Sequence, residues 1–323
     1  MKDRDYLCLT AILRAKEAAL ISKSKYDRML SETSYADICR IVSESGYPDM
    51  SGMNVDAVNE ALAQRRAAEI AEIRELIPDQ TLLDLFRMQY GYHNAKVLVK
   101  SGGDTEKAKD LFSDSARYTV EQLKEAYESE VYRGPLPETY VTAIRESRRA
   151  LARTDNPMLA DFILDRAFFA EQLKHAENTK KPYIIDYVRY RIDKANLRST
   201  LRTMYMGKRG ELLKYALVEG GTIGVEDILN SMETKDELVR LYSSTIFSKA
   251  AEAPNMTEFE KAADNAAKDY ILRGNYIAFG PEVVVEYVSA LENEIMSLRI
   301  ILTGKLMGVD AERLRERLRE SYV

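Results

Sequence analysis

The sequence predicts an all-α protein built from three similar helical domains, spanning 1–112, 113–217 and 218–323. Three observations carry that prediction. Apolar residues recur at three- and four-residue spacing along nearly the whole chain, the period that lines one face of a helix. No window alternates apolar and polar residues cleanly, and no Asn-Gly hairpin turn occurs, so no strand is expected. Finally, one motif recurs. Gly91-Tyr-His-Asn-Ala-Lys96, Asp193-Lys-Ala-Asn-Leu-Arg198 and Glu294-Ile-Met-Ser-Leu-Arg299 place Asn94, Asn196 and Ser297 at intervals of 102 and 101 residues. Self-similarity at a fixed period marks repeated structural units.

In the first unit, Leu7, Ala11, Ala15, Ala18 and Ala19 predict a helical stripe running through Ile21. Ser34-Tyr-Ala-Asp37 resembles a helix-start box ahead of Ile38, Ile41 and Val42, and Gly46-Tyr-Pro48 ends that helix. A long helix over Val55–Leu76 stops before Pro78. The next helix carries Leu82, Leu83, Phe86, Tyr90, Val97 and Leu98, and Ser101-Gly-Gly-Asp104 breaks it. The second unit opens near Ser113, with a capping box at Thr119-x-x-Gln122. Asn156-Pro157 starts a helix holding Phe162, Phe168 and Leu173, and Lys181-Pro182 starts the long helix that contains Asn196. In the third unit, Thr234-x-x-Glu237 and Thr257-x-x-Glu260 read as capping boxes. Gly280-Pro281 opens a long helix, whose apolar stripe runs through Val284, Tyr287, Val288, Leu291, Ile295, Leu298, Ile301 and Leu302. Gly304 weakens its end, and Asp310 caps a last basic helix over 311–322.

The repeat extends beyond its core motif. Asn156–Asp165 parallels Asn255–Asp264, and the run from Pro182 parallels the run from Pro281. Three units in 323 residues fit the usual domain size. With 46% hydrophobic and 31% charged residues, the composition is that of a globular protein. Apolar runs are far shorter than the roughly 20 residues a bilayer span requires. The charged start, Met1-Lys-Asp-Arg-Asp5, lacks the pattern of a signal peptide, so a cytoplasmic location is expected. Cys8 and Cys39 are too few for a disulfide framework and read as small buried apolar residues. A net charge of −5 argues against nucleic acid as the partner.

Catalytic chemistry is sparse. His93 and His175, the only histidines, lack cysteine or carboxylate help at zinc spacing. Gly207-Lys208 and Gly304-Lys305 are not P-loops: Arg202 and Arg299 stand where the first glycine belongs, and Arg209 and Leu306 follow the lysines. Asp161 and Asp165 lie one helical turn apart, but lack the adjacent second aspartate of a metal-diphosphate site; they read as a solvated face or as ion-pair partners. No cofactor is expected.

What remains is a basic face on the long helices. Lys96 and Lys100, then Arg198 and Arg202, sit at i and i+4 and share a face; the third copy keeps Arg299 but has Thr303. Asp193 and Glu294 precede their arginines by five residues, too far round the helix for a direct pair. Two readings follow. These groups satisfy one another between helices within each unit, or they form a repeated polar surface that faces a partner. On the residues alone, a helical-repeat adaptor protein leads.

The C-terminal run Phe279-Gly-Pro-Glu282, Tyr287, Glu292-Asn-Glu294, Leu298-Arg-Ile-Ile301, Gly304-Lys305 and Arg313–Arg319 resembles the C subunit of the V-type and A-type ATP synthases, the counterpart of the eukaryotic vacuolar ATPase d subunit. Tyr90–Lys96 and Asn196-Leu-Arg198 resemble that family's first and second signatures, and Arg14-Ala-Lys-Glu17, Leu20-Ile-Ser22, Tyr26, Leu30 and Ser45-Gly-Tyr47 also fit. Two positions depart: Gly91 stands where the family usually has aspartate, and Ala95 where it usually has leucine. The resemblance implies a funnel of three helical domains with pseudo-threefold symmetry and no catalytic residues. It implies a seat on the cytoplasmic face of the proteolipid rotor ring, which receives the central shaft subunits D and F, with the membrane stator as a further neighbour. Neither nucleic acid nor a small-molecule ligand is implied.

Overall fold

The computed structural model describes residues 2–129, 131–206 and 212–322. Among them there is no β-strand, as the all-α reading expects. In chain order the helices are α1 (Leu7–Glu17), α2 (Lys23–Ser31), α3 (Tyr35–Ser43), α4 (Val55–Leu76), α5 (Gln80–Lys100), α6 (Val120–Glu128), α7 (Glu138–Thr154), α8 (Pro157–Thr179), α9 (Pro182–Tyr205), α10 (Leu213–Ala216), α11 (Val225–Asn230), α12 (Lys235–Tyr242), α13 (Ser248–Glu252), α14 (Met256–Ile271), α15 (Pro281–Leu306) and α16 (Ala311–Arg317). None of the described helices is long and apolar enough to cross a membrane.

The chain divides into two compact units, one of Met1–Gln80 with Glu260–Val323 and one of Thr81–Phe259. In the first, α15 is the central strut and packs against α1, α3, α4 and α16. Val284, Val285, Val288, Leu291, Ile295, Leu298, Ile301 and Leu302 are all buried, so the helix is covered on nearly every side. Each such aliphatic side chain contributes roughly 1.5–3 kcal/mol by leaving water. In the second unit, α7, α8 and α9 pack in succession. A core cluster between α5, α6, α7 and α8 joins Leu98, Leu123, Ile144, Leu164 and Phe168, with the Tyr92 and Tyr140 rings 4.3 Å apart.

Helix starts follow local chemistry. Thr119 and Thr234 form capping boxes with Gln122 and Glu237. Proline occupies the first turn of α8, α9 and α15, where its missing N–H costs nothing. Asn54, Asn156 and Asn255 accept backbone N–H bonds at the starts of α4, α8 and α14. Thr257 is therefore not the cap of α14: Asn255 takes that place, and Thr257 lies within the first turn.

Two expectations change at element ends, and one on a buried face. α1 stops at Glu17 rather than Ile21, because the Ile21 N–H is captured by Glu294. Its buried face is Leu9, Thr10 and Leu13; the predicted alanine stripe is exposed, Leu7 and Cys8 with it, and only Cys39 is buried. The last helix ends at Arg317, not Tyr322. The tail is drawn out instead by Arg319 on Asp264 (2.5 Å), Lys268 on Glu320, and the Glu320 carbonyl accepting from Asn293 at 3.2 Å.

Candidate functional site: repeated clamps on the long helices

The recurring motif lies on α5, α9 and α15, and Asn94, Asp193, Asn196, Glu294 and Ser297 within it are buried. Asparagine is a poor residue for a helix interior, because its amide competes for backbone groups. Asn94 and Asn196 use that competence across the chain. Asn94 accepts from the Ser113 N–H at 2.8 Å and donates to the Ser113 carbonyl at 2.9 Å. Asn196 brackets Val218 in the same way, both bonds 2.8 Å. Each amide satisfies the backbone N–H and carbonyl of one residue that no helix supplies. Each holds the segment that opens the next stretch of chain.

The aligned acid extends the clamp. Asp193 is fully buried and accepts from the Thr222 N–H (2.8 Å), the Thr222 hydroxyl (2.5 Å) and the Ile223 N–H (3.3 Å). Burial pushes its carboxyl above the ordinary range, and the Thr222 bonds oppose that shift. Gly221 permits the approach: a Cβ there would stand 2.2 Å from Asp193 Oδ1. In the third copy Glu294 accepts from the Ile21 N–H (2.5 Å) and the Tyr47 hydroxyl (2.7 Å), and Ser297 bonds the Tyr26 phenol. Burial raises Glu294 as well, opposed by those donors, while burial and the Glu294 charge raise Tyr47. The first copy has Gly91 at the acid position; its missing Cβ faces the Tyr140 hydroxyl at 3.4 Å, and that hydroxyl is buried with no hydrogen-bond partner among the described residues.

The basic residues divide. Lys96 reaches Asp165 and Lys100 reaches Asp161, both at 2.6 Å, so one i, i+4 pair on α5 meets another on α8. Asp193 and Glu294 are buried and turned to backbone donors. Arg198 and Arg299 are half-buried on α9 and α15, and Arg202 is exposed in the last turn of α9. Of the two Gly-Lys dipeptides, Gly207-Lys208 lies outside the described residues. Lys305 caps α2, donating to the Leu30 and Glu32 carbonyls at 2.9 and 2.8 Å. Gly304 is buried under Leu314 of α16 and the helix runs on past it to Leu306.

Several participants carry no signal of their own in the sequence. Tyr47, Thr222 and Ile21 complete the clamps. Glu69 is a buried hub for Lys16 (3.0 Å), Arg65 (2.7 Å) and Tyr287 (2.9 Å). For the pairing of α5 with α8, the identical spacing of Lys96/Lys100 and Asp161/Asp165 is the available signal. Among the described residues, no group of three or more His, Cys, Asp and Glu could hold a metal ion. This arrangement is suited to fixing backbone segments.

The ATP synthase (C/AC39) subunit family model matches residues 9–317. The chain belongs to that family. Relatives align over most of their length. The V-type sodium ATPase C subunit of Enterococcus hirae is 25% identical over 326 residues, covering 98% of this chain and 99% of the relative. The V-type ATP synthase C subunit of Thermus thermophilus is 21% identical over 321 residues, covering 97% and 98%. The A-type ATP synthase C subunit of Methanocaldococcus jannaschii is 24% identical over 345 residues, covering 97% and 86%. The clamps on α5, α9 and α15 are thus features of a chain of the ATP synthase (C/AC39) subunit family.

Proposed function

We propose that this chain is a non-catalytic coupling subunit of a rotary V/A-type ATPase. It sits on the cytoplasmic face of the membrane, on the proteolipid rotor ring, and receives the base of the D/F shaft. In this reading the units 1–112, 113–217 and 218–323 surround a pseudo-threefold axis and form the socket of a funnel. The chain carries no cofactor of its own, and ATP turnover and ion flow take place in other subunits.

The observation that carries the reading is the match to the family over nearly the full length, joined by relatives whose names are those of the C subunit. The physics is compatible with it. A torque coupler must resist deformation. Close-packed helices cross-tied by satisfied buried polar groups are stiff, because each tie fixes two elements without leaving an unpaired polar atom. Contact with a ring that must detach and re-form favours a polar interface of modest size. Arg202 and Lys100 are the exposed members of the basic set; Lys100 is held by Asp161, so Arg202 is the first candidate for that contact.

The test is recovery from detergent-solubilised membranes with a tagged chain, followed by peptide identification. Ring and shaft subunits should co-purify in fixed proportion. Recovery of the intact chain alone, from membranes shown to contain the assembled ATPase, contradicts the proposal.

A further inference from the structure

The first two turns of α15 carry a cluster that the repeated clamps do not use. The Glu286 side chain is 0% exposed. Its Oε2 accepts from Arg14 Nη1 at 2.9 Å, while its Oε1 is buried with no hydrogen-bond partner among the described residues. The same Nη1 donates to Glu17 at 2.6 Å and to the Asn275 side chain at 2.9 Å, and Nη2 donates to the Gly274 carbonyl at 3.0 Å. One guanidinium is therefore shared by two carboxylates and by the tight 3-10 turn Leu272–Tyr276. That turn ends in Tyr276, which is 92% exposed.

We propose that Arg14, Glu17 and Glu286 form a proton-operated latch on the Leu272–Tyr276 turn, closed when Glu286 is ionised and released when it takes up a proton. With both carboxylates charged, Arg14 is drawn between them and lies against Gly274. With Glu286 neutral, the charge-assisted bond that holds the guanidinium over the turn is lost. Glu17, three residues along the same helix, keeps Arg14, and the Gly274 carbonyl and the Asn275 amide turn to water. The orphaned Oε1 fits this design: a buried carboxylate with one unsatisfied oxygen is costly when ionised, and protonation relieves the cost.

The surrounding charges set the direction. From α1, Arg14 and Glu17 face Glu286, one attracting and one repelling. On α15 itself, Glu282 lies one turn earlier. From α4, Glu69 is engaged with Tyr287, Lys16 and Arg65. From the turn, Arg273 lies over the Tyr270 ring. Burial first and Glu17 second push Glu286 up to about 7, against Arg14. The latch therefore changes state near neutrality. It presents or loosens an exposed aromatic group whether or not the rotary reading holds.

The chain contains no tryptophan, so Tyr276→Trp places a sole indole at the tip of the turn, excited selectively at wavelengths where the tyrosines do not absorb. Time-resolved anisotropy of the full-length variant, from about pH 5 to about pH 9, reads its local mobility. The fast depolarising amplitude should grow as pH falls through about 7. Adding Glu286→Gln should leave the amplitude high and flat. Adding Glu17→Gln should move the midpoint to lower pH, because a repelling charge is gone. A flat profile in the single variant overturns the proposal, as does a transition that survives Glu286→Gln. If the Glu286→Gln protein does not fold, the Glu17→Gln midpoint decides: an unmoved midpoint overturns the latch.

Discussion

Glu286 is ionised at a cost, and that cost has a sign. Its folded-state value, about 7, lies above the ordinary 4.5 because burial penalises the charge. Between those values the folded state holds a proton that the unfolded chain has released. The contribution of this group to stability is therefore fully present below about pH 4.5 and is lost as pH rises through about 7. The window corresponds to about 3 kcal/mol as an order of magnitude. Asp193 and Glu294 are raised in the same direction and add to the slope. Urea midpoints measured at about pH 5 and about pH 7.5 should differ in the wild type, and Glu286→Gln should shrink the difference. An unchanged difference in that variant would assign the slope to other groups.

At the scale of the element, the ties between helices decide what the long helices hold. Asn196→Ala removes both bonds to Val218 and leaves a buried peptide N–H and carbonyl unpaired. The expected loss is about 2–4 kcal/mol, from two unsatisfied buried groups at roughly 1–3 kcal/mol each and some relaxation. Denaturant unfolding should show it, and a loss below about 0.5 kcal/mol would mean that water satisfies the freed groups. Much of this layer is legible in the sequence. Val55–Leu76 is bounded by its own residues, and Asn94 and Asn196 stand out by their interval. The partners are not legible. Asp165 lies 69 residues from Lys96, and the two meet only when α8 packs beside α5. On α1 the alanines keep helical spacing but bury little surface, so the larger Leu9 and Leu13 take the core face. Ile21 leaves the helix because Glu294, 273 residues away, offers its N–H a buried acceptor. Periodicity records which residues can share a face; it does not record which face finds a neighbour.

For the whole molecule, the fold class is legible in the helical period, and the family in the motifs that resemble it, from Tyr90–Lys96 to the run after Phe279. The proposed role rests at this scale: a chain that transmits torque without chemistry of its own. Ion transport by the ATPase reconstituted in vesicles, with and without this chain, tests that role most directly. With the chain present, ATP hydrolysis should drive ion uptake. Without it, hydrolysis by the catalytic head should continue while uptake falls to the passive leak, and adding the chain back should restore uptake. Equal ion transport per ATP in its absence would contradict the account.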